Sequence, residues 1–152
     1  MKRDSRLSSV LHALLHMASH GRPMTSEALA ACMSTNPVVV RRTMAGLREA
    51  GFVRSDNGHG GGWSITCDLN AVTLRDIHQA LGEPTIFAIG HRSGSPECLV
   101  EQSVNAALDG AFDAAEKLLM QSFAGATLAA LAEDFSRRLA AHRDKETCRN
   151  AV

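Results

Sequence analysis

Seven residues, Asp56-Asn57-Gly58-His59-Gly60-Gly61-Gly62, constrain the fold of this chain more than any other stretch. They separate two short segments of strand character, Phe52-Val53-Arg54-Ser55 and the alternating Trp63-Ser64-Ile65-Thr66. A glycine-dense run between two strands reads as a hairpin tip. A phosphate-cradling loop would instead have to run from a strand into a helix, in a Walker or dinucleotide-binding context that is lacking here. Two short helices precede the hairpin. Thr25 or Ser26 caps the first, which runs to about Met33 with Leu29, Ala30, Cys32 and Met33 as its inward residues. After a break at Ser34-Thr35, Asn36 caps the second and Pro37 takes its first position, a strong start for a helix. Val40, Met44 and Leu47 form its buried stripe, and Gly51 stops it. Two helices joined by a short turn and followed by a hairpin make a winged helix-turn-helix.

The remaining chain reads as helix. Leu7, Val10, Leu11, Leu14, Leu15 and Ala18 recur at helical spacing in a segment capped by Asp4 or Ser5 and ended by Gly21 and Pro23. Thr73 and Asp76 spell a capping box before Leu74, Ile77, Ala80 and Leu81, with Gly82 and Pro84 as the stop. Ser95 and Pro96 then open a long helix, with Cys98 in its first turn. Its apolar residues recur from Leu99 through Val104, Leu108, Phe112 and Leu118 to Phe123. A stripe this long offers more apolar surface than one small domain covers, so a dimer helix is expected. Gly125 breaks it, Thr127 caps a last helix from Leu128 to about Leu139, and a polar, frayed tail follows from His142. The fold class is thus mainly α with a small β wing. It divides into a winged-helix domain (1–84), a linker or effector loop (85–97), a dimerisation helix with a C-terminal helix (98–142) and a flexible tail (143–152).

Charge and cysteine content narrow the function. Residues 1–62 hold eight Lys/Arg against four Asp/Glu, a net of +4, and the rest carries −4. A basic half joined to an acidic half suggests that the first half meets a polyanion. No apolar run approaches the roughly 20 residues of a membrane span, and the N-terminus is not a signal peptide, so the chain reads as cytoplasmic. The four cysteines are too scattered for a disulfide scaffold, and no C-x-x-C pair marks a zinc site. His12, His16 and His20 repeat every four residues, a spacing that permits a metal but suits a solvated helix face as well. With Val40, Met44 and Leu47 turned inward, Val38, Val39, Arg41 and Arg42 face out near the start of the second helix, the part that enters a major groove. Arginine offers a fork to guanine and valine meets a thymine methyl. Arg3, Arg6, Arg48 and Arg54 are placed to neutralise phosphates.

Several stretches resemble the Rrf-type family of bacterial winged-helix regulators: Leu29-Ala30, Leu47-x-x-Ala50-Gly51-Phe52-Val53, the wing Gly58-x-Gly60-Gly61-Gly62-Trp63, and Val72-Thr73-Leu74-x-Asp76-Ile77. The resemblance implies a homodimeric, site-specific regulator of transcription, read here as a repressor, that binds a double-stranded DNA operator. Where the family's wing carries Arg and Pro around its first glycine, this chain has Asn57 and His59, which are counted with the DNA-binding residues. The family's cluster-binding members carry three closely spaced cysteines after the fourth helix. This chain has Cys98 alone between residues 82 and 147, so no iron–sulfur cluster and no other cofactor is expected.

Cys98 admits two readings, a redox sensor activated by the helix N-terminus, with Cys32 of a partner subunit as its resolving thiol, or a packing residue. Two other functions stand beside the DNA-binding one, a winged-helix protein-interaction module without DNA binding and a thiol-dependent enzyme.

Overall fold

A computed structural model describes residues 5–87 and 97–150. Helix α1 (Arg6–His20) starts after Ser5 and ends where Gly21 turns left-handed at φ 63°. Its buried residues are Val10, Ala13, Leu14 and Met17, a face rotated slightly from the one that sequence periodicity predicts. Leu7 and Leu11 pack at the margin, while Leu15 lines a groove toward the last helix. The helix carries apolar residues on two faces because it packs on the second helix and the hairpin as well as on the last helix.

The capping chemistry of α2 (Ser26–Cys32) and α3 (Pro37–Glu49) is the expected one. The Thr25 hydroxyl accepts from the Ala28 N–H at 3.1 Å. The Asn36 carboxamide accepts from the Val38 and Val39 N–H groups at 3.0 and 3.1 Å, with Pro37 opening the helix. These caps satisfy backbone donors that the first turn leaves unpaired. Val40, Met44 and Leu47 are buried beside Leu14, Leu29 and Ile77 in one cluster. Each such side chain contributes about 1.5–3 kcal/mol by leaving water.

Strands β1 (Val53–Asp56) and β2 (Gly62–Ile65) pair antiparallel, Val53 opposite Ile65 and Asp56 opposite Gly62. Both differ by one residue from the segments read in the sequence, since the ladder closes on Asp56 and Gly62. Met24 extends this ribbon, exchanging two backbone hydrogen bonds with Trp63 at 2.8 and 3.0 Å. That close approach explains Gly62. Its φ is +146°, and a Cβ there would lie 2.6 Å from the Met24 carbonyl oxygen.

Helix α4 (Leu74–Ala80) begins with the predicted capping box. Thr73 gives both its hydroxyl (2.7 Å) and its backbone N–H (2.8 Å) to the Asp76 carboxylate, and the Asp76 N–H returns to the hydroxyl. These bonds hold the Asp76 carboxyl below the usual carboxylate range, the hydroxyl's being the largest cause. His78 is buried, which the periodicity did not indicate. Its Nε2–H donates to the Pro84 carbonyl at 3.1 Å and so pins the turn after the helix.

The two last helices depart from the sequence reading at their ends. Helix α5 (Leu99–Ala124) has Cys98 as its N-cap, so the thiol precedes the first turn rather than sitting inside it. Ser95 and Pro96, the expected start, lie outside the described residues, as does most of the 85–97 segment. Within that segment Phe87 stacks on Phe112 of α5, ring centroids 6.1 Å apart. Helix α6 (Leu128–Asn150) continues well past Leu139, so residues 143–150 form helix where a frayed tail was expected. No glycine or proline follows Gly125 to stop it. Its start is tied to the winged domain: Leu128 is buried, Thr73 and Thr127 bridge, and Ala129 donates to Leu69.

Candidate nucleic-acid interface

With Val40, Met44 and Leu47 fixed in the core, the helical period forces Val38, Val39, Arg41 and Arg42 to the outside of α3. All four are exposed, Val38 at 60%. A valine pair this open has no packing role in the chain itself. Arg48, one and a half turns further on, is also exposed.

An open cleft of about 470 Å³ runs between the start of α2, the face of α3 and the wing. Arg41, Arg48 and Asn57 line it, and Trp63 forms its floor, with the indole N–H donating to the Ser26 hydroxyl at 3.0 Å. That bond ties β2 to the first turn of α2. The remaining candidates lie around it. Val38, Val39 and Arg42 are on the exposed α3 surface outside the cleft lining, and His59 is exposed at the wing tip. Arg54, on the same strand as Asp56, lines a second hollow together with Arg22. Gly58 and Gly60 turn the tip at φ 97° and 76°, and a Cβ on Gly61 would overlap the Asp56 carbonyl. The wing is therefore a shape that only glycine permits at these positions.

Two carboxylates enter the same region and were not among the candidate site residues. Glu27 approaches Arg41 at 3.8 Å, and Asp56 approaches Arg54 at 3.2 Å. Glu27 was legible only as an acidic residue in a helix's first turn, since the turn that brings α2 against α3 is what aims it.

Of the two candidate thiols, Cys32 is half-buried at the end of α2 and Cys98 is exposed. No side-chain hydrogen bond caps α5, yet the backbone N–H groups of Glu101 and Val100 lower the Cys98 thiol's pKa below its ordinary value. His12 and His16 stack at 4.7 Å, and burial first, then the neighbouring His12 and His20, lowers the pKa of His16. Among the described residues no group of three or more His, Cys, Asp or Glu side chains gathers as a metal site would need. Nor, among them, is any helix long and apolar enough to cross a membrane.

The family model of the Rrf2 iron-dependent transcriptional regulators matches residues 3–134. The chain belongs to the Rrf2 family. Among its relatives is YwnA of Bacillus subtilis, described as a helix-turn-helix-type transcriptional regulator. It is 30% identical over 126 residues, which cover 82% of this chain and 92% of that protein. The fold recurs in solved structures. A transcriptional regulator from Lactobacillus plantarum superposes with a TM-score of 0.73 at 22% identity, covering 93% of this chain and 98% of that one. The global cysteine regulator CymR of B. subtilis does so with a TM-score of 0.64 at 19% identity, covering 88% and 97%. Rrf2 proteins are regulators of transcription rather than enzymes, so the thiol-dependent enzyme considered from the sequence is excluded.

Proposed function

We propose that this Rrf2 protein is a cytoplasmic, homodimeric repressor that reads a double-stranded DNA operator with α3 and its wing. The observation that carries the reading is the exposed first half of α3. Val38, Val39, Arg41 and Arg42 stand uncovered above a fully buried stripe, at the end of a recognition helix that enters the major groove. Arg48, Arg54, Asn57 and His59 flank it as phosphate and groove contacts. Site-specific winged helices pair two half-sites, and α5 supplies the means. None of its 26 residues is buried, and Leu99, Val100 and Leu118 are 66–75% exposed. A second copy covering that surface removes it from water.

The protein needs no iron–sulfur cluster in this reading. Cys98 is the one cysteine between residues 82 and 147, and the described residues gather no other ligand set. Regulation by thiol oxidation is a second reading, favoured by the exposed Cys98 thiol with its lowered pKa. Peroxide would oxidise the thiolate to a sulfenic acid. The Cys32 thiol of the other subunit would then displace water to form a disulfide.

The test measures binding of duplex fragments retained from genomic DNA by the purified protein. Arg41→Ala and Arg42→Ala should each weaken the retained sequence by about 1–3 kcal/mol and relax preference at one position, with fold and mass unchanged. Parental affinity in the double variant would remove α3 from the interface.

A further inference from the structure

A surface that meets a polyanion gains from every unopposed cation, yet this one carries acids among its arginines. Glu27 and Asp56 line the same cleft as Arg41 and Arg48, between α2, α3 and the wing. Each carboxylate faces a guanidinium: Glu27 Oε1 lies 3.8 Å from Arg41 Nη1, and Asp56 Oδ2 lies 3.2 Å from Arg54 Nε. The four side chains are 49–70% exposed. Ion pairs this open contribute little to holding a fold together. The helix and strand that bear these acids are held by other means, the Thr25 cap and the β1–β2 ladder.

We infer that Glu27, with Asp56 in support, sets the selectivity of the DNA-reading face by competing with nucleic acid for its arginines. The inference rests on the DNA-binding reading above. A carboxylate offers a guanidinium two acceptor atoms side by side, and the O6/N7 edge of guanine offers two in a similar arrangement. At 3.8 Å Glu27 offers Arg41 its charge without a hydrogen bond, so a correctly placed guanine gives the guanidinium two hydrogen bonds that the carboxylate does not. A lone phosphate on arbitrary DNA has to draw the arginine away from its carboxylate while standing close to that negative charge. Binding to arbitrary sequence is thereby penalised more than binding to the operator, which is selectivity by an added repulsive element. Glu27 is a positioning residue in this account, because it acts through Arg41.

The experiment measures fluorescence anisotropy of two labelled duplexes, a fragment selected from genomic DNA by the parent protein and a scrambled sequence of the same length. The parent, Glu27→Gln, Asp56→Asn and the double variant are titrated across a salt series. Each arginine released to a phosphate steepens the dependence of log K on log salt by about 0.9. The scrambled duplex should then bind several-fold tighter for each substitution, up to roughly eightfold near 0.1 M salt. The selected duplex should gain less, so the ratio of the two affinities falls. The inference is overturned if the scrambled duplex keeps the parental affinity and salt slope, or if both duplexes weaken together. Thermal midpoints check that α2 survives the loss of Glu27, and Asp56→Asn carries the test alone if it does not. A parent protein that binds neither duplex in a salt-dependent way would instead sink the DNA-binding reading itself.

Discussion

Helices α3 and α5 each carry an apolar stripe, and the stripes meet opposite fates. In α3, Val40, Met44 and Leu47 disappear into a core shared with α1, α2 and α4. In α5, twice as long, not one residue is buried, and Leu99, Val100, Val104, Leu108 and Leu118 all stand in water. One helix is covered by its own chain, and the other leaves its apolar side chains uncovered. The difference teaches that an apolar period in a sequence predicts burial without saying by whom. Substitutions in α3 should act on the folding of one chain, and those in α5 on association.

The largest effect expected from that contrast is at Leu47, fully buried at the centre of the winged domain. Leu47→Ala should cost about 2–5 kcal/mol of unfolding free energy, measured by urea titration, through lost transfer energy and the cavity left behind. A cost under about 1 kcal/mol would mean the core is looser than its burial shows.

A smaller effect is expected at the start of α4. Thr73→Ala removes the hydroxyl that donates to Asp76 and should cost about 0.5–2 kcal/mol. It also changes the acid limb of stability. Because the Asp76 carboxyl is held below its unfolded value, its contribution is fully present above roughly pH 4 and is lost below it, as the pH falls through the lowered folded-state value. In the variant the loss between neutral pH and pH 3 should be shallower. An unchanged acid limb in equilibrium unfolding would show that the box does not set it.

The smallest effect sharpens the comparison from the side of α5. In a monomeric background, Val104→Ser should alter stability by less than about 0.5 kcal/mol, as substitutions at open surface do. In the parent the same change should weaken self-association. A large loss in the monomeric background would show that Val104 is covered by its own chain.

These contrasts also mark what the sequence disclosed. Asn36-Pro37, Thr73-x-x-Asp76 and the Gly58–Gly62 tip are local chemistry, and each appears in the structure as capping and turn geometry predict. Helix α6 runs on past His142 because that polar stretch holds no helix breaker, and polarity alone does not end a helix. The start of α5 moved to Cys98, which a proline two residues earlier did not foretell. Buried His78 depends on the Pro84 carbonyl, and the Glu27–Arg41 approach depends on how α2 crosses α3. Both are tertiary facts with no periodic trace. On the proposed interface the exposed arginines of α3 were legible, and the acids opposing them were not.

The central claim is that a second copy of this chain covers the open face of α5. Sedimentation equilibrium tests it most directly, on the parent and on Ala111→Glu, which places a charge on that exposed face. The account predicts twice the 16.2 kDa chain mass for the parent and a single chain for the variant, with operator binding lost in the same variant. A parent that sediments as one 16.2 kDa chain at concentrations that saturate its operator would contradict it.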